Sequence, residues 1–163
     1  MTDRKRTEII KGKEVNFVLL PPDETRDFKK VTSVCVIAFT EEGHIVGTII
    51  DRGLDFPGGH VKVGETTLQE VVNREAEEEA CIEVDPISVV SYIQSDYYGD
   101  GPEDLTYMVV TTAKVSKMGD FVANEEAFDR KILPVDKFLE EYKGFDKENT
   151  IYLVETARKL LKL

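Results

Sequence analysis

Between Gly58 and Ile82 the chain reads GGHVKVGETTLQEVVNREAEEEACI, a glycine pair followed by carboxylates at Glu65, Glu70, Glu75, Glu77, Glu78 and Glu79. Placed on a helical wheel at about 100° per residue, Thr67 to Ala80 has an apolar arc of Leu68, Val71 and Val72. Glu70 and Glu77 fall opposite that arc, where solvation accounts for them. Glu75 and Glu79 point into its middle, and Glu78 lies at its edge. Carboxylates stacked one turn apart on an inward face repel each other and lose hydration, at a cost on the order of several kcal/mol per ion unless positive charge sits among them. A divalent cation answers that need. Several carboxylate oxygens suit Mg2+ or Mn2+, and Mg2+ keeps waters and shares its other positions with substrate phosphates. The competing account is a last helical turn that has left the core, so that Glu75 and Glu79 face water.

These residues also follow a family pattern. The segment resembles the Nudix box, Gly-x5-Glu-x7-Arg-Glu-U-x-Glu-Glu-x-Gly-U with U a bulky aliphatic residue. Gly59 and Glu65 fit its opening, and Arg74-Glu75-Ala76-Glu77-Glu78-Glu79-Ala80-Cys81-Ile82 fits its close. The chain departs from the pattern at three points. Eight residues rather than seven separate Glu65 from Arg74, an extra residue read as lying in the loop around Thr66 and Thr67. Ala76 is smaller than the usual aliphatic residue. Cys81 stands where glycine usually supplies a left-handed cap, so a different helix end is expected, with Pro86 ensuring a stop soon after.

The resemblance implies a fold and a chemistry. The fold is an α+β arrangement, an α/β/α sandwich with a mixed β-sheet between helices; periodicity alone gives only a mixed α and β domain. The chemistry is hydrolysis of a pyrophosphate linkage in a nucleoside diphosphate-type substrate, by attack of water on phosphorus. Carried over residue by residue, Glu75, Glu78 and Glu79 become metal ligands with the Gly58 carbonyl, while Arg74 and Glu65 brace helix and loop. Arg74 and Glu78 are also i, i+4 partners, so a plain helix salt bridge competes for both. The general base in such proteins comes from the box helix or from a later loop. Here Glu125 or Glu126 is suitably placed, and Glu126 is chosen beside Glu78.

Around the box, Arg52 and His60 flank the glycine loop and are candidates for phosphate contacts, against a plain local role in the loop. The segment SDYYGDGPED offers Tyr97 and Tyr98 to stack on a nucleobase and Asp100, Glu103 and Asp104 to hydrogen-bond one; the plainer account is a long hairpin tip whose Gly and Asp residues make turns.

The elements that must position these residues are partly visible. Glu14 to Leu20 reads as a strand closed by Pro21-Pro22. Val31 to Phe39 and Ile45 to Ile50 flank the turn Glu41-Glu42-Gly43 and read as a hairpin that delivers the chain to the box. Ile87 to Gln94 and Thr106 to Val115 read as two more strands, and Ile132 to Val135 as a further short one. Asp136 is expected to cap a short helix through Tyr142, and Asn149 or Thr150 to start a last helix with Ile151, Val154 and Leu161 on its core side.

Composition sets the outer bounds. The chain has 163 residues, 41% of them hydrophobic, and shows no repeat or linker, so residues 1–163 are expected to form one domain. A net charge of −11 argues against bulk attraction to nucleic-acid backbone or an anionic membrane surface. Cys35 and Cys81 have no metal-ligand spacing and are expected to be reduced thiols. No apolar stretch reaches signal-peptide or membrane-span length, which makes the cytoplasm the expected location. The partner implied is a small nucleotide-type molecule, with Mg2+ or Mn2+ as cofactor, and a homodimer is compatible because many members of the family pair. A second hypothesis is a catalytically silent Nudix-like module that binds a nucleotide as a sensor. The intact Glu75, Glu78 and Glu79 favour the enzyme, and the box says nothing about which pyrophosphate is cleaved.

Overall fold

The computed structural model describes residues 4–101, 103–144 and 146–163; Pro102 of the segment SDYYGDGPED lies outside the described residues, as do residues 1–3 and 145. The first strand, β1 (Arg4–Ile10), pairs antiparallel with β2 (Lys13–Leu20). β1 was not expected as a strand: RKRTEII carries its charges on an edge, where they discourage pairing with another chain. β3 (Val31–Phe39) and β4 (Ile45–Ile50) have the bounds read from the sequence and pair as a hairpin through Ala38–Val46 and Phe39–Ile45. The edge of β3 is shared. Its end belongs to β4, while its beginning takes β6 (Gly58–His60), reached through the short β5 (Gly53–Asp55) that turns back along β4.

The box helix follows as α1 (Leu68–Glu75), continued by a wider π-type turn over Ala76–Ala80, and leads into β7 (Ile82–Val84). β8 (Ser88–Ser95) and the long β9 (Thr106–Met118) come next, close to their expected bounds. β10 (Asp129–Leu133) sits three residues earlier than the strand expected at Ile132 to Val135, because Pro134 removes a ladder donor and Val135 begins the next helix. That helix, α2 (Val135–Glu141), has Pro134 at its N-cap position; Asp136 lies inside the first turn and does not cap it. α3 (Lys147–Leu161) starts earlier than Asn149, since the Asp146 side chain accepts the Asn149 N–H at 3.1 Å and fixes the first turn.

The strands run in the order β1-β2-β8-β9-β3-β4-β10, with β3 and β9 parallel and the other neighbours on this path antiparallel, a mixed sheet. Alternation along β3 feeds two cores. Val34, Val36 and Ala38 pack with Val71, Val72, Ala76 and Ala80 of the box helix. Ile37 and Phe39 pack on the other face with Phe138, Leu153, Val154 and Ala157 of α2 and α3. Helices therefore cover both faces of the sheet, as the α/β/α expectation requires.

Candidate functional site

The box helix is held at both ends. Thr67 caps it by accepting the Glu70 N–H at 3.2 Å, and the Glu70 carboxylate accepts the hydroxyls of Thr66 and Thr67 at 2.9 and 3.0 Å, so both threonines precede the helix. At the far end Cys81 adopts the left-handed conformation (φ 55°, ψ 42°), and its N–H reaches the carbonyls of Ala76 and Glu77. The helix thus ends as a glycine would end it, with a Cβ present that costs about 1 kcal/mol.

The inward turn is where the wheel placed it. Glu75 and Glu79 are 5% and 6% exposed, against an exposed Glu77 and Glu78, so the account in which the last turn leaves the core does not hold. The two buried carboxylates lie beneath the glycine pair. Gly58 N–H donates to Glu79 Oε1 at 2.7 Å, and a Cβ on Gly59 would stand 2.4 Å from Glu75 Oε1, so only glycine lets that carboxylate come so close. Backbone bonds from Val36 N–H to Pro57 O and from Val61 N–H to Thr32 O set the alternation along β6. That alternation turns both the N–H and the C=O of Gly58 away from β3, and the N–H is the group that meets Glu79.

Arg74 divides its guanidinium among the acids. It makes a bidentate pair with Glu65 (2.9 and 2.9 Å), a 2.6 Å contact to Glu75, a longer 3.3 Å contact to Glu78, and a 2.9 Å bond to the His60 carbonyl. Glu65 also accepts the Lys62 N–H at 2.7 Å, so this pair closes the loop that carries the glycines. Arg74 holds the Glu65 carboxyl below its ordinary range. Glu75 is shifted the other way, upward by burial, with Arg74 opposing and Glu78 and Glu126 adding to the rise. Glu79 is pushed up to about 7, by burial first; the Gly58 N–H opposes the rise, and Glu75, Asp55 and Glu126 add to it. Among the described residues no basic side chain forms an ion pair with Glu79. Two like charges buried side by side with one of them lacking a counter-ion form a donor set that fits a hard divalent cation. Among the described residues no three carboxylate, imidazole or thiol groups stand together as a ready cage, so water and substrate oxygens would have to complete the shell.

Two hollows flank this turn. A cleft of about 600 Å³ opens beside the glycine loop and is lined by Arg52, Asp55, Gly58, Gly59, His60 and Tyr98 together with sheet residues and the α2–α3 connection. The larger one, about 860 Å³, runs along the outer side of the helix past Glu77, Cys81, Glu83, Asp85 and Asp120, and neither Glu75 nor Glu79 lines it. Neither carboxylate lines the smaller cleft either, but the Gly58–Gly59 pair that touches both of them does, and this links that cleft to the carboxylate-bearing turn. Of the expected substrate residues, Tyr98 is half exposed and stands edge-on to His60 at 6.5 Å and to Tyr97 at 4.9 Å. Tyr97 packs against the core and does not line the cleft. Arg52 pairs with Asp55 at 3.2 Å. Asp104 accepts the Asp100 N–H and binds Lys30 at 2.6 Å, which makes it a turn-holding residue.

Asp55 was missed in the sequence, where it is one acid in a turn. The structure buries most of its side chain at the cleft wall, and burial raises its pKa. The signal was its place beside Phe56, whose ring stacks on Phe138 at 4.9 Å and fixes the loop against α2. The charge of Glu126 is a minor contributor to the upward shift of both Glu75 and Glu79. Its loop reaches the helix through Asn124, which donates to the Glu78 carbonyl at 2.7 Å, and through Arg130, which donates to the Ala80 carbonyl at 2.9 Å. Neither residue stood out in the sequence.

A sheet sandwiched by helices, with a glycine loop laid over a carboxylate-bearing turn, defines the class. A family model of the NUDIX domain matches residues 29–153, and the chain belongs to that family. Among solved structures, the Bacillus subtilis pyrophosphohydrolase BsRppH is similar at 22% identity and a TM-score of 0.66, over 91% of this chain and 90% of that one. The NUDIX domain of Shewanella oneidensis NrtR complexed with ADP ribose is similar at 18% identity and a TM-score of 0.62, over 84% and 94%. An ADP-ribose pyrophosphatase from Streptococcus suis is similar at 20% identity and a TM-score of 0.57, over 77% and 90%. At these identities the likeness is one of fold. No curated protein sequence matches the chain, and no helix among the described residues is long and apolar enough to cross a membrane.

Proposed function

We propose that the chain is a divalent-cation-dependent hydrolase that cleaves a pyrophosphate linkage in a nucleoside diphosphate-type substrate by attack of water on phosphorus. The observation that carries this reading is the Glu75–Glu79 pair, buried beneath the glycine loop with no ion pair to Glu79 among the described residues. Membership of the Nudix family supports the reaction class, as do neighbours named for pyrophosphohydrolase and ADP-ribose pyrophosphatase activity. Residues 1–163 are read as one domain because β1 and β10 are the two edges of one sheet.

Glu75, Glu79 and the Gly58 carbonyl would hold Mg2+, or Mn2+ in its place, with Glu78 at the exposed rim. When bound, the cation neutralises phosphate oxygens and lowers the pKa of a coordinated water. The chain's own residues do the rest. Arg74 and Glu65 keep the glycine loop seated on the helix, so that the carboxylates and the Gly58 backbone face one point. Glu126, brought over the pair by its loop, takes the proton of the attacking water on its carboxylate, with Glu78 as the second carboxylate in reach. Arg52 and His60 orient phosphate oxygens at the cleft mouth, and Tyr98, backed by Tyr97, offers a face for a nucleobase.

The test is a hydrolysis screen over nucleoside triphosphates, dinucleoside polyphosphates, ADP-ribose and nucleotide sugars, with Mg2+ and with Mn2+, followed by product analysis. Release of a nucleoside monophosphate that stops on chelation is the expected result. Tight binding of one of these compounds with no turnover under any cation would instead make the chain a nucleotide-binding module.

A further inference from the structure

Asn124 lies in the segment between β9 and β10, outside the box, and spends both ends of its side-chain amide. Nδ2 donates to the Glu78 carbonyl at 2.7 Å, one of the last carbonyls of the box helix, where intrahelical donors run out. Oδ1 accepts the N–H groups of Glu126 and Ala127, each at 2.8 Å. The amide orientation is fixed by this pattern, since a flipped amide would turn its N–H groups against two backbone donors and its oxygen against a carbonyl. Asn124 N–H also donates to the Ala127 carbonyl at 2.9 Å, and Ala127 is fully buried, so the turn is anchored below as well as across. At the base of the same loop Arg130 binds the carbonyls of Ala80 and Gly119, and Gly119 N–H donates to the Cys81 carbonyl. The free end of the box helix is therefore the dock on which the Glu126 loop is built.

We propose that Asn124 is a positioning residue whose amide ties the backbone of Glu126 to the Glu78 carbonyl and so holds the Glu126 carboxylate beside the Glu75–Glu79 pair. This rests on the reading of that pair as a cation site. Glu126 is an exposed residue on a loop, and its backbone reaches the box helix through the Asn124 amide. A change in the carboxylate-bearing turn moves the loop through the same bond, and a change in Asn124 removes Glu126 from the pair without touching either carboxylate.

The experiment is a titration of Mn2+ alone into the intact protein, with free Mn2+ read by electron paramagnetic resonance. Wild type is compared with Glu75→Gln, Glu79→Gln, Glu126→Gln, Asn124→Ala, Asn124→Ser and the Asn124→Ala/Glu126→Gln double variant. Serine can still accept the Glu126 and Ala127 N–H groups as a local turn but is too short to reach Glu78, so it keeps the turn and loses the tie. Besides accepting the water's proton, the Glu126 carboxylate would add its negative charge to the site and accept a hydrogen bond from a cation-bound water, so Mn2+ affinity is expected to fall about tenfold in Glu126→Gln and by a similar factor in both Asn124 variants. The double variant is expected to bind no more weakly than Glu126→Gln. Wild-type affinity in Asn124→Ser, or a double variant whose loss is the product of the two single losses, overturns the role of Asn124. So does wild-type affinity in Glu126→Gln. If Glu75→Gln and Glu79→Gln bind Mn2+ as wild type does, the cation reading itself fails and takes this inference with it.

Discussion

The two sides of the box helix carry similar chemistry in opposite settings. On the outer side Glu77, Glu83, Asp85 and Asp120 line the larger hollow, and all four are exposed. On the inner side are two carboxylates, Glu75 and Glu79, each about 5% exposed and lying under a glycine loop. The outer side has more acids and more room, yet water satisfies each of them. What distinguishes the inner side is lost solvation: burial raises the pKa of both carboxylates, and only Glu75 has a guanidinium against it. A site is marked by a cost the protein has left uncovered, more than by the number of acids in a hollow.

That contrast can be broken by moving one charge at a time. Glu79→Gln removes the charge of a buried carboxylate proposed to hold the cation, and several kcal/mol of charge stabilisation translate to a fall in kcat/KM of about 10³-fold. Glu77→Gln, two residues away on the outer side, is expected to stay within about twofold of wild type in the same assay. Arg74→Ala deprives both Glu65 and Glu75 of their shared partner. Partial exposure of the cluster tempers the penalty, and a loss of about 3 kcal/mol is expected in urea unfolding.

A smaller effect follows from Glu79, whose pKa in the folded chain is about 7 against an ordinary 4.5. A carboxyl raised on folding favours the folded state fully below the unfolded value, and that contribution is lost as pH rises from about 4.5 through about 7. In chelator, the melting temperature of wild type relative to Glu79→Gln should therefore fall between pH 5 and pH 8 by a few degrees, and Mg2+ should restore it. Equal dependence on pH in the two proteins would show that Glu79 carries no such strain. The smallest effect is at Cys81, which caps the inner turn and lines the outer hollow. Cys81→Gly removes the left-handed strain but also the Sγ that accepts the Val122 N–H at 3.4 Å, so a net gain of up to about 1 kcal/mol is expected in thermal unfolding.

How much of this was legible in the sequence depends on the range of the forces involved. β3 and β4 show their bounds because most of both strands is buried, leaving runs rich in β-branched residues between turn signals. β1 is hidden because an edge strand can keep its charges, and β5, β6 and β7 are three residues each, too short for any period to show. The inward aim of Glu75 and Glu79 is a local property and could be read from a wheel. The π-type turn beneath them could not, since its apolar pattern differs little from a regular helix over five residues. The Asp146 cap is masked in the sequence because Asn149 and Thr150, also good cap types, follow within four residues. Asn124 and Asp55 were illegible for another reason: Asn124 reaches the Glu78 carbonyl 46 residues away, and Asp55, whose bonds to Arg52 and Phe56 are local, is buried by a cleft wall built from distant segments.

In the proposed mechanism the inner turn, with a bound cation, directs water onto phosphorus. Its most direct test is hydrolysis, in 18O-labelled water, of the best substrate from the screen, with Mg2+ and then with chelator, followed by mass analysis of the phosphate-bearing products. One 18O atom in one product, formed with Mg2+, lost with chelator and lost in Glu79→Gln, is the predicted result. Products without label, or label that appears equally in chelator and in Glu79→Gln, would contradict the account.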